Sequence, residues 1–342
     1  MIRSDFKVLI IGLGSMGKRR IRNLQTIGIK NIKGFDLRSD RRKEVGDKYN
    51  ISVFETFDQA IAADHYDAFV ISVPPLVHHL YMKEAIRHKT HCFVEASVVD
   101  TDMAQIINDA EKEGISILPS STMWFHPAVI EIANMIKDGN LGTITNVIYH
   151  CGQYLPDWHT YESVSDYYVS IKETGGAREI VPFELTWLVK LFGFPNKLTG
   201  LYKKTIEIKG AESIEDTYNA LLDYNGFILN LVIDVVSRYA TRRLLINGES
   251  KQLIWNWDEN FIRIYNSEKE EWENKEYNLT SAANGYNKNI NEGMYENEMR
   301  AFFSHIDQKG TFPNSLENDH RILKLLYSVE ESYNTNKFIS VQ

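Results

Sequence analysis

A glycine-rich turn between a strand-like run and a helical stretch constrains the fold of this chain more than any other sequence feature. Residues 7–11 form a mainly apolar run, residues 12–17 read GLGSMG and fit G-x-G-x-x-G, and residues 16–27 have helical periodicity. A second apolar run, 32–35, is followed by Asp36. In this context the glycines allow a pyrophosphate to approach a helix N-terminus, and the acidic residue accepts hydrogen bonds from a ribose. The pattern predicts a dinucleotide site.

The first part of the chain alternates short apolar runs with helical stretches. The apolar runs lack polar alternation, which is typical of strands buried on both faces. These runs are 7–11, 32–35, 68–72, 90–94 and 115–118, and the helical stretches between them are 16–27, 41–49, 57–63, 76–88 and 103–113. Repeated strand–helix–strand units form a parallel sheet with helices on both faces. We therefore expect an α/β Rossmann domain that binds a dinucleotide over residues 1–122.

The pattern changes after residue 122. Strands with partial alternation are predicted at 143–151, 197–208, 217–224, 227–236, 243–247, 252–257 and 261–265, and helices at 127–137, 183–191, 294–308 and 316–333. The dipeptide Asn225-Gly226 between two of the strands indicates a tight hairpin. We expect residues 123–342 to form an α+β domain with a large, mainly antiparallel, open-faced sheet, used for substrate binding and oligomerisation.

Composition argues against several other classes of protein. The net charge of -8 argues against nucleic acid as the main partner, because such proteins present a basic face. No apolar run reaches the ~18 residues of a membrane span, and two cysteines exclude a disulfide scaffold. No spacing of His, Cys, Asp or Glu is typical of a metal site. Because the N-terminus lacks the pattern of a signal peptide, the expected compartment is the cytoplasm.

The residues around Asp36 bear on the choice of dinucleotide. A carboxylate at this position repels the 2′-phosphate of NADP and therefore favours NAD. Three arginines follow, Arg38, Arg41 and Arg42, and one of them could hold that phosphate. The alternative is that they form the solvated start of the next helix. NAD is the predicted cofactor, and NADP is less favoured.

Several further motifs resemble those of one enzyme family. They are ISVPPLVH at 71–78 (family T-P-x-x-x-H), EAS at 95–97 (family E-K-P), FHPA at 125–128, LGTI at 141–144, PDWH at 156–159, and GG at 175–176 followed by FELT at 183–186 (family H-E-x-D). On these motifs the chain resembles, over nearly its whole length, the glucose–fructose oxidoreductase / inositol dehydrogenase / MocA family. Its likeness is to members that act on sugars of surface-polysaccharide pathways.

The resemblance implies an NAD-dependent oxidoreductase acting on a hydroxyl or ketone of a sugar or nucleotide-linked sugar. Family members associate through the outer face of the second-domain sheet, so a homodimer or homotetramer is implied. Together with the glycine turn, the resemblance gives these cofactor-binding candidates: Gly12, Gly14, Ser15, Met16, Gly17, Asp36, Arg38, Val73, Pro74, His78 and Glu95.

The chain departs from the family where the acid/base pair is expected. Ala96 stands in place of the lysine, and Phe183, or Glu184 if the register moves by one, in place of the histidine. Oxidation of a hydroxyl requires a group that takes its proton, worth roughly 10²–10⁴ in rate. Candidate replacements are His159, Lys172 and Glu184. Candidate substrate contacts are Trp124, Tyr154, Asp157, Trp158, Arg178 and Glu179.

Each candidate acid/base group also has a structural interpretation. His159 could be a buried, hydrogen-bonded histidine, and Lys172 a solvated loop lysine. Glu184 could lie in the first turn of a helix that begins at Pro182, where a carboxylate is favoured. Two other functions therefore stay open: a sugar enzyme that uses NAD without net redox, for elimination, epimerisation or glycoside cleavage, and a non-catalytic subunit that binds NAD or a sugar.

Overall fold

A six-stranded parallel sheet forms the first of two units in the computed structural model, which describes residues 3–159, 162–280 and 291–341. This unit comprises Met1–Thr122 together with Gly293–His320. Its strands are β1 (Lys7–Ile11), β2 (Asn31–Phe35), β3 (Ser52–Phe54), β4 (Ala68–Ile71), β5 (His91–Val94) and β6 (Ile117–Pro119). Its helices are α1 (Ser15–Thr26), α2 (Ser39–Tyr49), α3 (Phe57–Ala63), α4 (His78–Arg87), α5 (Met103–Glu113) and most of α8 (Glu292–Ile306).

The strand order β3-β2-β1-β4-β5-β6 reverses direction between β1 and β4. All of these pairings are parallel. In open sheets of this kind ligands bind at the carboxyl ends of the strands, at the point where the order reverses. The turn after β1 and the loop after β4 both lie at that point. The predicted Rossmann fold is therefore confirmed.

Helix α8 completes the core of the first unit although it lies far along the chain. Met299, Phe302 and Phe303 are fully buried among the apolar residues of β1, α1 and β5. The ring of Phe303 lies 4.9 Å from that of Phe6, and the ring of Phe302 lies 5.7 Å from that of Phe93. Burial of each such ring contributes about 2–3 kcal/mol.

The second unit, Met123–Glu292 with Arg321–Gln342, contains a nine-stranded sheet in the order β14-β13-β12-β11-β7-β10-β9-β8-β15. Its strands are β7 (Ile144–Tyr154), β8 (Lys197–Lys203), β9 (Thr217–Asp223), β10 (Ile228–Asp234), β11 (Val236–Gly248), β12 (Lys251–Asn256), β13 (Phe261–Asn266), β14 (Glu271–Glu276) and β15 (Ile339–Ser340). The helices that follow Met123 in the chain are α6 (Pro127–Lys137), α7 (Ala177–Phe192) and α9 (Leu316–Thr335), besides α8. Only the β7–β10 pairing is parallel, so the predicted mainly antiparallel sheet is confirmed.

One face of this sheet is covered and the other is open. In β9 the side chains alternate, with Ala220 and Leu222 buried and Leu221 exposed. Leu221 pairs with Asn230, which in turn pairs with Ile148, so these side chains form a row on the outer face. Leu221 and Ile148 are each 43% exposed.

Helix α7 begins earlier than the sequence indicates. It starts at Ala177, directly after Gly176, whose φ is 62°, and Pro182 lies inside it. The expectation that Pro182 opens the helix and that Glu184 lies in its first turn is therefore wrong. Two backbone hydrogen bonds fix the first residue of α7: Gly176 N–H donates to the carbonyl of Val169, and Ala177 N–H donates to the carbonyl of Glu215. Helix propensity, which depends on neighbouring residues, does not reveal such bonds.

Strand β11 is also longer than predicted. The sequence suggested a strand ending at 236 and another at 243–247, whereas Val236–Gly248 is one strand. Its register against β7 shifts between Val236 and Thr241. Such an irregularity breaks the alternation from which strands are recognised. The hairpin at Asn225-Gly226 is confirmed, since it joins the antiparallel strands β9 and β10. Over the described residues, no helix combines the length and apolar character that crossing a bilayer requires.

Candidate functional site

The turn after β1 has room only for glycine at two positions. Gly12 has a φ of 93°, and its N–H donates to the carbonyl of Phe35 at 2.9 Å. A Cβ added to Gly12 would lie 2.6 Å from the carbonyl oxygen of Ser72. A Cβ on Gly17 would lie 1.9 Å from the carbonyl oxygen of Gly12. The backbone of β1, α1 and the loop after β4 is thus in close contact here.

Asp36 ties this turn to the end of β2. Its Oδ2 accepts from Leu13 N–H at 2.7 Å and its Oδ1 accepts from Arg38 N–H at 2.8 Å. The guanidinium of Arg41 lies 3.7 Å from Oδ2 and beside Gly14. Each carboxylate oxygen has a second lone pair for a hydroxyl donor. A buried carboxylate at this point fits the ribose of a dinucleotide.

Helix α1 begins at Ser15 without a competing anion. Its N-cap is Gly14, which has no side chain, and its first turn holds no acidic residue. The positive end of a helix dipole favours an anion at such a site. The side chain of Arg38, by contrast, is bound to Asp40, with its NH2 donating at 2.6 Å. The glycines and the helix end fit a pyrophosphate.

The loop after β4 places His78 in a buried position. Its Nε2 donates to the carbonyl of Val73 at 2.8 Å, and its Nδ1 has no partner among the described residues. Burial lowers the pKa of His78 to about 4. The ring is therefore neutral at pH 7, and Nδ1 is an acceptor. Pro74, next in the chain, precedes a short helical turn.

Glu95 is bound within the first unit. Both of its carboxylate oxygens accept from Arg20, at 2.7 Å from Nε and 2.9 Å from NH2. The NH1 of the same guanidinium donates to Glu298 of α8 at 2.8 Å. These contacts fix the segment that continues into Ala96. Sequence reasoning missed Glu298, since it belongs to no motif.

Glu184 lies in the core of the second unit. Its carboxylate accepts from the Tyr149 hydroxyl at 2.5 Å and from Trp187 Nε1 at 2.8 Å. Arg242 donates to the other oxygen, at 2.9 Å from Nε, and its NH2 lies 2.8 Å away. The ring of Phe183 lies 5.9 Å from the same guanidinium. Glu184 therefore neutralises a buried arginine.

Two other candidates are held by ion pairs. Lys172 is 62% exposed and its Nζ lies 3.3 Å from Glu215. Arg178 donates from Nε to Glu330 of α9 at 2.6 Å. In both cases the charge is balanced by a carboxylate of the same unit. Trp124 lies 4.8 Å from the ammonium of Lys190.

The segment around His159 holds several polar aromatic groups. His159 Nδ1 lies 2.8 Å from Glu162, and the imidazole stacks on Tyr167 with a centroid distance of 4.7 Å. The buried Nε1 of Trp158 has no partner among the described residues. Arg238 covers the ring of Tyr154 at 3.9 Å. Asp157, which precedes Trp158 and His159 in the chain, lies in a short helical turn and is exposed.

Glu179 lies in the first turn of α7 beside a tyrosine. The Tyr168 hydroxyl donates to its Oε1 at 2.5 Å, and Oε2 has no partner among the described residues. Burial raises the pKa of Glu179 to about 7, against a smaller lowering by the tyrosine bond. The ring of Tyr168 is edge-on to that of Tyr167, 6.2 Å away. Neither tyrosine carries a sequence signal.

The structure thus brings His159 and Glu179 together with Tyr167 and Tyr168 in one unit, and it places Glu184 elsewhere in that unit's core. Within the described ranges, no group of three or more His, Cys, Asp or Glu residues is arranged to hold a metal ion.

Comparison with known proteins shows that most of the first segment of the first unit is similar to one family. Residues 6–116 match the family GFO_IDH_MocA, described as an oxidoreductase family with an NAD-binding Rossmann fold. The resemblance inferred from the motifs is confirmed, and so is the prediction of NAD as the cofactor.

One curated relative is similar to part of this chain in sequence. An uncharacterized oxidoreductase of Bacillus subtilis, YrbE, is 28% identical over 138 residues. That alignment covers 39% of this chain and 40% of the relative, so the chain spans less than half of the relative's length.

Two solved structures share the fold over nearly the whole chain. An Agrobacterium radiobacter oxidoreductase in complex with NAD+, L-tartaric acid and magnesium is 14% identical, with a TM-score of 0.83 and 98% coverage of both chains. The myo-inositol 2-dehydrogenase of Lactobacillus plantarum is 14% identical, with a TM-score of 0.81 and coverage of 98% and 99%.

The role of Glu184 as a buried counter-ion predicts a large loss of stability on its removal. The variant Glu184→Ala leaves Arg242 charged in the core, which costs about 3–5 kcal/mol of unfolding free energy. Urea unfolding followed by circular dichroism measures the change. Glu131→Ala is the control, because Glu131 forms an exposed pair with Lys275 that contributes about 0–1 kcal/mol. Equal stability of the two variants would contradict this role.

Proposed function

We propose that this chain, a member of the NAD-binding GFO_IDH_MocA oxidoreductase family through its residues 6–116, is an NAD-dependent dehydrogenase or reductase of sugars. Its substrate is a sugar or nucleotide-linked sugar, at one hydroxyl or ketone carbon. The turn in which Gly12 and Gly17 have no room for a side chain, next to the buried carboxylate of Asp36, carries the proposal.

The proposed cofactor contacts are supported by the geometry of the first unit and, at the nicotinamide end, by the motif resemblance. The turn at Gly12 and Gly14 and the start of α1 hold the pyrophosphate, and Asp36 accepts from the ribose hydroxyls. Val73, Pro74 and the neutral His78 contact the nicotinamide end. NAD, when bound, takes or supplies the hydride. Glu95 acts indirectly, since Arg20 binds both of its carboxylate oxygens.

The proposed substrate contacts are residues of the second unit. Trp158 and His159 combine an aromatic surface that suits a sugar face with donors and acceptors that suit its hydroxyls. Glu162 holds one nitrogen of His159, which fixes the orientation of the ring. Lys172 and Glu184 are weaker candidates, because one is solvated beside Glu215 and the other neutralises Arg242.

The open face of the nine-stranded sheet is the proposed site of self-association. Its central row contains Leu221, Asn230 and Ile148, two of them apolar and exposed. A second copy of this chain would cover the same row by two-fold symmetry. The proposed assembly is a homodimer or homotetramer, and the proposed compartment is the cytoplasm.

The first prediction concerns the choice of dinucleotide. We expect NAD+ to bind at least about tenfold more tightly than NADP+, or about 1.4 kcal/mol, because the Asp36 carboxylate repels a 2′-phosphate. The variant Asp36→Asn should lose this preference, and Asp36→Asn/Arg41→Ala should weaken NADP+ binding again. Calorimetric titration measures each affinity. Tighter binding of NADP+ by the unchanged chain would contradict the assignment of NAD, and binding of neither would remove the enzyme proposal.

The second prediction concerns His159. The variant His159→Ala should lower kcat/KM for the preferred sugar about 10²-fold, while NAD+ affinity stays unchanged. His65→Ala is the matched control, because His65 is an exposed histidine of the first unit, and it should change kcat/KM less than about twofold. Circular dichroism checks that both variants are folded. A folded His159→Ala enzyme with unchanged kinetics would refute the substrate contact.

Product analysis separates the alternatives to net redox. Formation of product with no net change in NADH absorbance would favour elimination, epimerisation or glycoside cleavage. Binding of NAD and sugar without any product would favour a non-catalytic subunit. A stoichiometric change in NADH absorbance supports the proposed dehydrogenase.

The third prediction concerns self-association. The double variant Ile148→Lys/Leu221→Lys should sediment at the monomer mass of 39.5 kDa, because buried unpaired ammonium groups oppose contact between two sheets. Leu80→Lys is the matched control, since Leu80 is an exposed leucine of α4, outside this face. It should sediment like the unchanged chain. An unchanged mass for the double variant would rule out this face.

A further inference from the structure

One hydrogen-bonded pair of the second unit, Tyr168 and Glu179, has no part in the proposed function described so far. We propose that Tyr168 is the catalytic residue that exchanges the proton of the substrate hydroxyl, and that Glu179 is the positioning residue behind it, which holds that proton. The pair would replace the missing lysine and histidine. This inference rests on the proposed function and names the proton path for it.

The geometry of the pair is specific. The Tyr168 hydroxyl donates to Glu179 Oε1 at 2.5 Å, and no described residue binds Oε2. The carboxylate is thus bonded to a neutral phenol. Glu184, by contrast, is bonded to Arg242, and His159 is bonded to Glu162. Among these groups, Glu179 is the carboxylate positioned to accept a proton through a hydroxyl.

The charged groups near Glu179 in the chain are paired with other residues. Arg178, its neighbour on α7, is bonded to Glu330 of α9. Lys172, in the preceding loop, lies beside Glu215. From that same loop only the phenol of Tyr168 is bonded to the carboxylate of Glu179. Burial is the main cause of the raised pKa of Glu179. Its pKa of about 7 lets it change protonation within the physiological range.

The loop that carries Tyr168 is anchored to the start of α7. The carbonyl of Tyr168 accepts from Ile171 N–H at 3.1 Å and from the Thr174 hydroxyl at 3.0 Å. A Cβ on Gly175 would lie 1.8 Å from the carbonyl oxygen of Val169. The glycine pair 175–176 therefore lets the loop approach the helix closely enough for the phenol to reach Glu179.

The proposed step balances in atoms and electrons. The C–H bond of the carbinol carbon breaks, and its hydrogen leaves with two electrons as hydride to an oxidised nicotinamide. The O–H bond of the substrate breaks as the C=O bond forms, and its proton bonds to the Tyr168 oxygen. The proton of Tyr168 moves at the same time to Glu179 Oε1. The products are a ketone, a reduced nicotinamide and a protonated Glu179, and reduction follows the reverse path.

His159 has a separate role in this arrangement. Its ring stacks on Tyr167, which is edge-on to Tyr168. We assign His159 to binding of the same substrate and Tyr168 to the transfer of its proton. Loss of His159 should act on KM, and loss of Tyr168 or Glu179 should act on kcat.

The test uses two conservative variants and a matched control pair. Tyr168→Phe removes only the phenol oxygen, and Glu179→Gln removes the charge while keeping the shape. The controls are Tyr239→Phe and Asp258→Asn, because Tyr239 donates to Asp258 at 2.7 Å on the surface. Circular dichroism and thermal unfolding check that all four are folded.

The first measurement needs neither substrate nor cofactor. Carbon-13 NMR of chain labelled at glutamate carboxyls should show a carboxyl signal that titrates near pH 7 and that is absent in Glu179→Gln. In Tyr168→Phe its pKa should rise further, because the hydrogen bond that favours the charged form is lost. The control variants should leave the signal unchanged. Titration of Glu179 near pH 4 would overturn the proposal, whether or not any substrate is known.

The second measurement is the pH profile of NAD+ reduction with myo-inositol, glucose and UDP-glucose as probes. In the unchanged chain kcat should rise as pH passes about 7, because only the ionised Glu179 accepts a proton. Tyr168→Phe and Glu179→Gln should lower kcat by about 10²–10⁴-fold with little change in KM and should abolish that rise. Variants with normal kcat and an unchanged profile would overturn the proton path while leaving the dehydrogenase proposal intact. A chain that binds no NAD would refute the dehydrogenase proposal separately.

Discussion

One buried guanidinium organises the first unit. Arg20 of α1 has no exposed surface and is bonded to Glu95 after β5 and to Glu298 of α8. Burial raises the pKa of Glu298, while Arg20 opposes that rise by favouring the charged form. Removal of one partner of such a group costs about 3–5 kcal/mol, because the others stay buried and unpaired. Helix α8 and the segment leading to Ala96 are both held by this contact.

Glu298 also accepts hydrogen bonds from the residues that follow β6. Glu298 accepts from Ser121 N–H at 2.6 Å and from the hydroxyls of Ser120 and Thr122 at 3.0 and 2.8 Å. The end of β6 is thereby fixed to the same helix. The carboxyl ends of β5 and β6 are rigid, which suits the edge of the sheet where a dinucleotide is bound.

The second unit also contains a buried ion pair, between Glu184 and Arg242. Glu184 and Arg242 neutralise each other beside Phe183, on the helix whose FELT segment resembles the H-E-x-D motif. A carboxyl group that is able to exchange protons near neutral pH is found one turn earlier, at Glu179, where its only bonded partner among the described residues is a tyrosine. The two carboxylates thus differ in their partners, since Glu184 is bonded to a buried arginine and Glu179 to a tyrosine.

The sequence by itself determined the Rossmann fold, the cofactor turn and the open sheet. These depend on local requirements, because Gly12 needs a positive φ, buried strands need apolar runs, and Asn225-Gly226 suits a tight turn. Only the tertiary structure decided that Glu298 reaches Arg20 across 278 positions, that α7 begins at Ala177, and that Glu184 and Glu179 have different partners. Contacts between residues so far apart in the chain leave no periodic pattern in the sequence. Sequence reasoning could therefore name Glu179 and Glu184 as candidates but could not identify their hydrogen-bond partners.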